Sequence, residues 1–462
     1  MNKGKTKNRN ADSSKILKLL DFICSEKFFY YFIVSAMLAM PLFEIITEIV
    51  GQPFISQSII LQNYGILGFF AVLTSLLYKR SEKKFYLSDV FFILLTVFAA
   101  ISLICSKDFV NSAFGFDYDE LPAHFLAYFS LMFAGTMINE DRLRKNVLYT
   151  FCITGTVQGI VALFQTFGLR IADCYYDPKW HRECNLSFGL TQHNNWFAGL
   201  STIFVAAAIG LFVFSSKKKK ISYAYLALAA MSIYVSFCTG ARIAWVGNAT
   251  VILFYIVSLI VMKVKYSKNP DIKSYILSFL VIIAVYTAVI ALIAFTRDTF
   301  TSGIDEFIHE STAGMDAIAT NRGYIWRFGL ESVPENWLTG VGLDNYIYVF
   351  TGNPEWSEGM FAQAKGHNEY LHTLVTQGVF AVINYILLLV YSFVTGVKNV
   401  IKTTDDNKRT ITWIFLGMFI GYAAQAFFNS SVINVAMYFW IIVGMTMPKA
   451  SQKPLKLFRR SK

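Results

Sequence analysis

The sequence predicts an all-α protein that crosses a membrane about twelve times. Three observations predict this fold. The 462 residues are 55% hydrophobic and only 15% charged, whereas a soluble protein carries about 25% charged residues. Apolar runs recur along the chain, and each is near the roughly 20 residues that a helix needs to cross a bilayer. Basic residues concentrate in every second connection between those runs.

The apolar runs define the predicted helices and divide the chain. The first run begins too late, and is followed by too many others, to be a cleaved signal peptide. We predict a basic tail at 1–27, nine membrane helices within 28–295, a large loop at 296–367, three more helices within 368–447 and a second basic tail at 448–462. The runs lie at about 28–48, 59–78, 86–105, 121–138, 146–168, 192–214, 221–238, 242–262, 274–295, 368–395, 410–428 and 431–447.

The distribution of basic residues predicts the orientation. If the N-terminus lies inside, the inner segments hold 32 of the 41 Lys and Arg residues. This is the positive-inside pattern of multi-pass proteins, and it predicts a protein of the cytoplasmic membrane with both termini in the cytoplasm. It also argues against nucleic-acid binding as the reason for the net charge of +11, because the chain has no basic patch with interleaved aromatic residues.

Two outer segments are long enough to suggest function, residues 169–191 and the loop 296–367. Loops beyond about 15 residues are usually functional or disordered. The second contains the predicted helix NRGYIWRFGLESV and the turn-rich PENWLTGVGLDNY, so we expect it to be folded. In the first, Cys174 and Cys184 either form a disulfide or remain free thiols. All six histidines fall on the outer side of this topology: His124, His181, His193, His309, His367 and His372.

The motif GHNEYLH at 366–372 stands immediately before an apolar run. Zinc binding is disfavoured, because His367 and His372 are five residues apart, or about 140° around a helix, whereas the HExxH motif spaces its histidines four apart. We therefore predict no metal site. His367, Asn368 and Glu369 fit either a polar helix cap or a group of functional side chains.

Arg242, in CTGARIAWVG, lies between two apolar segments with almost no connecting loop. A charge at such a depth is costly and suggests a functional site, although an arginine can also extend its head to the lipid headgroups. Arg322 and Arg327 lie in the large loop. Guanidinium groups bind phosphate oxygens through paired hydrogen bonds, and a histidine accepts protons near neutral pH. These groups together suit transfer of a group away from a membrane-anchored diphosphate.

On these residues the sequence resembles the O-antigen ligase and polysaccharide polymerase superfamily of bacterial membrane glycosyltransferases. The matching motifs occur in the family's order along the chain, although Ala241 stands where the family usually has Ser. They are AFGFDYDE at 113–120, SFGLTQHNNWFAG, TGARIAW, NRGYIW, PENWLTGVGLDNY and GHNEYLHTLVTQG. The resemblance implies a GT-C-like fold and a metal-independent, inverting glycosyltransferase without a cofactor.

The resemblance also implies roles for individual residues. It implies that Arg242 and Arg322 bind a lipid diphosphate and that His367 is catalytic. Our own expectation from the neighbouring residue is that Glu369 assists His367. Arg327 and Arg182 are candidates for further diphosphate contacts. Trp326 and Trp196 are candidates for stacking on sugar rings, with the alternative that they only anchor the protein at the membrane interface.

The implied reaction moves a glycan from an undecaprenyl-diphosphate carrier during cell-envelope polysaccharide assembly. The expected partners are the lipid-linked oligosaccharide, the bilayer and other assembly proteins. The sequence does not separate a polymerase, which extends a chain, from a ligase, which passes a finished polymer to a lipid or wall acceptor. A transporter of lipid-linked oligosaccharides is an alternative, but such proteins usually carry internal repeats or midplane polar residues, which are not evident here. A non-catalytic assembly partner is a third hypothesis.

Overall fold

The computed structural model describes residues 15–50, 53–78, 84–115, 120–170, 172, 185–214, 220–266, 271–313, 316, 318–351, 353–356 and 362–456. Within these ranges the regular structure is helical, without a β-strand. The helices are α1 (Glu26–Val50), α2 (Pro53–Leu77), α3 (Leu87–Ile104), α4 (Phe109–Phe114), α5 (Pro122–Met137), α6 (Asp141–Thr166), α7 (Asn194–Phe214), α8 (Ile221–Phe237), α9 (Arg242–Lys265), α10 (Ile272–Thr296), α11 (Asp298–Ala313), α12 (Ile318–Asn336), α13 (Tyr348–Thr351), α14 (Glu369–Gln377), α15 (Val379–Lys402), α16 (Asp406–Gln425) and α17 (Ile433–Thr446).

The predicted fold class is confirmed as that of an all-α, multi-pass membrane protein. In the part of the chain that the structure describes, nine helices are long and apolar enough to cross a membrane. These are α1, α2, α3, α6, α7, α9, α10, α15 and α16, the last extended to Phe428. Three further predicted segments are also helical but shorter, with 16 residues in α5, 17 in α8 and 14 in α17.

The centre of the bundle is formed by α7 and α17. Every residue of α17 is buried, and so is nearly every residue of α7. A helix that is apolar on all sides is typical of a position surrounded by other helices. Polar residues at the ends of α7 and α17 are therefore buried as well. Such buried polar residues can form a site.

One predicted helix is divided in the structure. The apolar run at 368–395 was expected to be continuous, but Gly378 separates α14 from α15 with a φ of 84°. A Cβ atom at this position would lie 2.3 Å from the carbonyl oxygen of Leu338, so only glycine allows this approach of the loop. The short helix α14 consequently packs with the large loop, and the membrane-spanning part begins at Val379.

The large loop is folded around a core of its own, as the sequence predicts for NRGYIW and the residues after it. The backbone N–H of Val341 donates to the carbonyl of Val375 at 2.9 Å, and that of Gly342 to the carbonyl of Thr376 at 3.0 Å. These bonds attach the GVG turn to the end of α14. We call the side of the bundle that carries α11 to α14 the loop face. The loop core consists of Ile325, Phe328, Val341, Tyr346, Val349, Phe350, Leu371 and Val375.

Candidate active site

Five segments that are far apart in the chain meet beneath the loop. Asparagine side chains hold these segments together by donating hydrogen bonds to backbone carbonyls of neighbouring segments. Asn194 Nδ2 donates to Thr239 O at 2.9 Å, and Asn429 Nδ2 donates to Asn195 O at 3.1 Å. The segments are residues 193–196, 239–242, 322–326, 366–372 and 428–430.

Arg242 is the first residue of α9, where the chain enters the membrane from the loop face. A tight turn precedes it, in which Thr239 Oγ1 accepts a hydrogen bond from the N–H of Ala241 at 3.1 Å. The Arg242 guanidinium forms an ion pair with Glu310 of α11, with 2.7 Å between Nη2 and Oε1. Both side chains are largely covered. The pair therefore links the start of a membrane helix to the first helix of the loop.

Arg322 extends from α12 toward the same place. Its Nη1 atom donates a hydrogen bond to the carbonyl oxygen of Phe428, just beyond the end of α16. Burial, together with the charge of Arg242, lowers the pKa of Arg322 to about 10, while Glu310 acts in the opposite direction. The guanidinium thus remains protonated at neutral pH. Two arginines and one carboxylate leave an excess of positive charge here.

His367 lies next to these arginines and has an unusual backbone conformation. Its φ is 46°, in the left-handed region that few residues other than glycine adopt. Its N–H donates to Ser430 Oγ at 3.1 Å, and Asn368 caps α14 by accepting from the N–H groups of Tyr370 and Leu371 at 3.1 and 3.0 Å. These contacts fix the turn that places the imidazole where the charge of Arg322 acts on it.

The imidazole of His367 is uncharged at neutral pH. Burial lowers its pKa to about 3, and the charges of Arg322, His193 and Lys365 contribute in the same direction. Its Nε2 atom is 3.5 Å from Gln363 Oε1. Its Nδ1 atom is buried and has no hydrogen-bond partner among the described residues. We call Arg242, Glu310, Arg322 and His367 the arginine–histidine cluster.

Glu369 is not brought together with His367, although the two are only two residues apart. Its Oε1 atom accepts a hydrogen bond from Tyr385 at 2.5 Å, and its Oε2 atom accepts a longer one from Tyr422 at 3.5 Å. Burial raises the pKa of Glu369 to about 7, opposed by the hydrogen bond from Tyr385. It faces a separate space, the tyrosine cavity, which is lined among others by Glu120, Tyr128, Glu369, His372, Tyr385 and Trp440.

Arg327 lies on the solvent side of α12 instead of in the cluster. Its guanidinium forms ion pairs with Asp316, Glu331 and Glu355 at 3.2, 3.2 and 3.0 Å. The hydrogen bonds that it donates to Asp316 are the largest cause of its raised pKa. These pairs are within the loop, so the contacts of Arg327 tie loop segments to one another.

The two tryptophans singled out in the sequence border the cluster. Trp326 Nε1 donates to the carbonyl of Gly366 at 3.0 Å, and its ring centre is 6.1 Å from that of Phe428. The ring of Trp196 is 5.3 Å from that of His193 and is only 4% exposed. Arg182, Cys174 and Cys184 lie outside the described residues. Among the described residues, no three His, Cys, Asp or Glu side chains come together as a metal site.

Sequence reasoning missed several of the residues that surround the cluster. Glu310 is an ordinary acidic residue of an exposed helix in the sequence. Lys365 and Glu120 form a buried ion pair between distant segments. Ser430 is the residue that the sequence could have indicated, because the polar triplet NSS at 429–431 interrupts two apolar runs. A polar triplet at a helix end carries Ser430 to His367.

Known sequences match the same part of the chain. Residues 227–386 match the family model described as O-antigen ligase, a stretch that extends from α8 into α15 and contains Arg242, Arg322 and His367. An uncharacterized protein of Haemophilus influenzae is 23% identical over 370 residues, which cover 78% of this chain and 84% of that protein.

Proposed function

We propose, since this chain belongs to the O-antigen ligase family, that it is a membrane glycosyltransferase that transfers a glycan from an undecaprenyl-diphosphate carrier to a sugar acceptor. The observation that carries the proposal is the arginine–histidine cluster. Two arginines and a neutral histidine meet at the end of a membrane helix, under a folded loop. A lipid-anchored diphosphate would present its charged group at this depth.

The arginines are proposed to hold the diphosphate. A guanidinium donates two parallel hydrogen bonds to phosphate oxygens, and the excess positive charge of the cluster favours an anion. Glu310 Oε1 accepts from Arg242 Nη2 at 2.7 Å. A phosphate oxygen of the donor would replace this carboxylate, so donor binding is expected to release Glu310 from α9.

The proposed reaction is a substitution at the anomeric carbon of the donor. The acceptor hydroxyl oxygen forms the new bond to that carbon, and the bond from the carbon to the diphosphate oxygen breaks. The diphosphate leaves with the electron pair, and Arg242 and Arg322 stabilise the charge that develops on it. The hydroxyl proton passes to His367 Nδ1. Attack from the side opposite the leaving group inverts the anomeric configuration.

The low pKa of His367 is consistent with this role. The positive charge of Arg322 is one of its causes, and a bound diphosphate would offset that charge. An adjacent anion favours the protonated imidazole and therefore raises the pKa. His367 thus becomes a stronger base when the donor is in place, which limits proton transfer to the loaded enzyme.

The orientation and the surroundings follow from the same proposal. We propose that the loop face lies outside and both termini lie in the cytoplasm, because the basic connections fall on the opposite side. The protein would then act in the cytoplasmic membrane on glycans exposed at the outer surface, together with other proteins of polysaccharide assembly.

Purified protein tests the proposal directly. We would incubate it in detergent with an undecaprenyl-diphosphate-linked oligosaccharide and EDTA, and resolve the products on a gel. A ladder of repeat multiples identifies a polymerase, and a single shift that needs an added acceptor identifies a ligase. Absence of product with every acceptor would contradict the proposed function.

Two variants separate the proposed roles. Arg242→Ala is expected to abolish transfer and weaken donor binding, while the protein still inserts into the membrane. His367→Gln is expected to abolish transfer but to keep donor binding. Full activity in Arg242→Ala would refute the assignment of the cluster.

A further inference from the structure

His193 stands at the start of α7 and takes no part in the proposed reaction. It is the residue immediately before α7, which begins at Asn194. Its Nδ1 atom accepts a hydrogen bond from the N–H of Asn195 at 3.1 Å, so the imidazole caps the helix. Asparagine, aspartate and serine are the residues preferred at such a position. Histidine differs from them in having a second ring nitrogen, which the cap does not use.

The cap determines which nitrogen of His193 carries the proton. A ring nitrogen that accepts a hydrogen bond has no proton, so the imidazole is neutral and its proton lies on Nε2. Nε2 is therefore a hydrogen-bond donor. The ring of His193 packs on the buried ring of Trp196, with 5.3 Å between the ring centres and 34° between the planes. This packing restricts the direction in which the donor can point.

The residue after His193 connects the cap to Arg242. Asn194 Nδ2 donates to the carbonyl of Thr239 at 2.9 Å. The hydroxyl of Thr239 in turn accepts from the N–H of Ala241 at 3.1 Å, in the turn from which Arg242 begins α9. The start of α7 and the start of α9 are thus held side by side.

Asn195 connects the cap to the other half of the arginine–histidine cluster. Its carbonyl accepts from Asn429 Nδ2 at 3.1 Å. The residues on either side of Asn429 accept hydrogen bonds from Arg322 and from the N–H of His367. A proton on His193 opposes a proton on His367 and so lowers the pKa of His367, which requires the two rings to be close. The capping imidazole therefore lies between the anchors of the two arginines.

We propose that His193 is a third hydrogen-bond donor to the diphosphate of the glycan carrier, with its Nε2–H binding a phosphate oxygen beside Arg242 and Arg322. This inference rests on the proposed function. His193 is half-buried, so a ligand can reach the ring. A neutral imidazole adds a hydrogen bond without adding repulsion between the arginines. His193 then holds the leaving group, while His367 takes the proton of the acceptor.

Two substitutions separate the cap from the phosphate contact. His193→Asn keeps an oxygen that can accept from the N–H of Asn195 but has no counterpart of Nε2. His193→Gln places an amide N–H near the position of Nε2 and gives up the cap. The full chain in detergent is assayed for binding of undecaprenyl diphosphate, which requires no turnover, and for its melting temperature.

The two variants are expected to differ in opposite ways. His193→Asn should keep the melting temperature and weaken binding about 10- to 100-fold, the loss typical of a hydrogen bond to a charged group. His193→Gln should lower the melting temperature and bind within about threefold of wild type. Inorganic pyrophosphate, as a competitor, should show the same 10- to 100-fold loss of affinity in His193→Asn, because it shares only the headgroup with the lipid.

A residue that only caps the helix gives a different pattern, since asparagine is itself a favoured cap. Wild-type binding by His193→Asn would therefore overturn the inference. So would weak binding by both variants with lowered melting temperatures, which indicates loss of the cap alone. Unchanged pyrophosphate affinity in His193→Asn would place His193 at the lipid chain and also overturn it. Failure of the proposed function alone would appear as the expected binding pattern without transfer by the wild-type protein.

Discussion

Arg322 donates a hydrogen bond to the backbone carbonyl of Phe428, and this bond joins the large loop to the membrane bundle. Two residues later, Ser430 accepts from the N–H of His367. The segment 428–430 therefore contacts both a proposed diphosphate-binding residue and the proposed base. A shift of this segment is expected to move both groups at once, which couples loop position to the chemistry.

The two arginines of α12 are expected to differ in function. Arg322→Lys should lower the rate of transfer by about 10²- to 10³-fold, because lysine loses the paired hydrogen bonds that stabilise a developing anion. Arg327→Lys should change it less than about threefold, since its contacts are exposed ion pairs of small energy. Initial rates of both variants, at equal amounts of inserted protein, check this. Equal losses would place both arginines at the donor.

Ser430 is expected to act by positioning His367. Ser430→Ala removes the acceptor at 3.1 Å and should lower kcat about tenfold, in line with one hydrogen bond of about 1.4 kcal/mol. Donor KM should stay unchanged, because no contact to the arginines is lost. Ser430→Thr keeps the hydroxyl and should restore most of the rate. A raised KM with normal kcat would contradict the positioning role.

Gly378 is expected to be essential for docking the loop. Gly378→Ala places a Cβ atom 2.3 Å from the carbonyl oxygen of Leu338 and adds the cost of an alanine at a φ of 84° and a ψ of 176°, about 1–3 kcal/mol. The loop should detach and become sensitive to protease while the membrane helices stay intact. Gly303→Ala, within α11, is the matched control, since its nearest neighbour is a flexible ring edge at 3.3 Å. Equal protease resistance of the two variants would argue against this role.

The core of the loop is expected to set its local stability. Phe328 is fully buried, and its ring is 5.5 Å from that of Phe350. Phe328→Ala should destabilise the loop by about 3–5 kcal/mol, the usual cost of an emptied aromatic position. Hydrogen exchange across 318–351 measures this. Leu330→Ala, on the same helix but with 57% of Leu330 exposed, should leave exchange nearly unchanged.

Glu369 is expected to make stability depend on pH. Its pKa is raised to about 7 in the folded protein, mainly by burial, and the unfolded chain loses that proton at lower pH. Stability from the protonated carboxyl is therefore complete below the unfolded pKa and is lost as pH rises to about 7. Glu369→Gln stays neutral at every pH. The melting temperature of this variant minus that of wild type should therefore be larger at pH 8 than at pH 5. Melting temperatures in detergent at both values test this, and a gain confined to pH 5 would contradict it.

Hydropathy predicts most of the fold because a helix in the bilayer core is apolar whether lipid or other helices surround it. It does not predict the break at Gly378, since the apolar run continues through this residue and the left-handed conformation depends on the loop above it. The sequence also suggested Arg242, Arg322 and His367 as one group, and the structure brings them together. It could not separate Glu369 from His367, because the positive φ of His367 decides which side each faces. Glu310 and Ser430 required the tertiary contacts themselves.

The positive φ of His367 affects which substitutions this position can accept during evolution. A residue other than glycine in the left-handed region costs about 1–3 kcal/mol, so the fold by itself favours glycine or asparagine there. If His367 is the proposed base, selection for activity keeps it there against this cost in stability. In a copy of the gene released from selection for activity, we expect this position to change early, to Gly or Asn, while the membrane helices around it persist. An intact bundle without this imidazole would mark a descendant that has kept the architecture and lost the reaction.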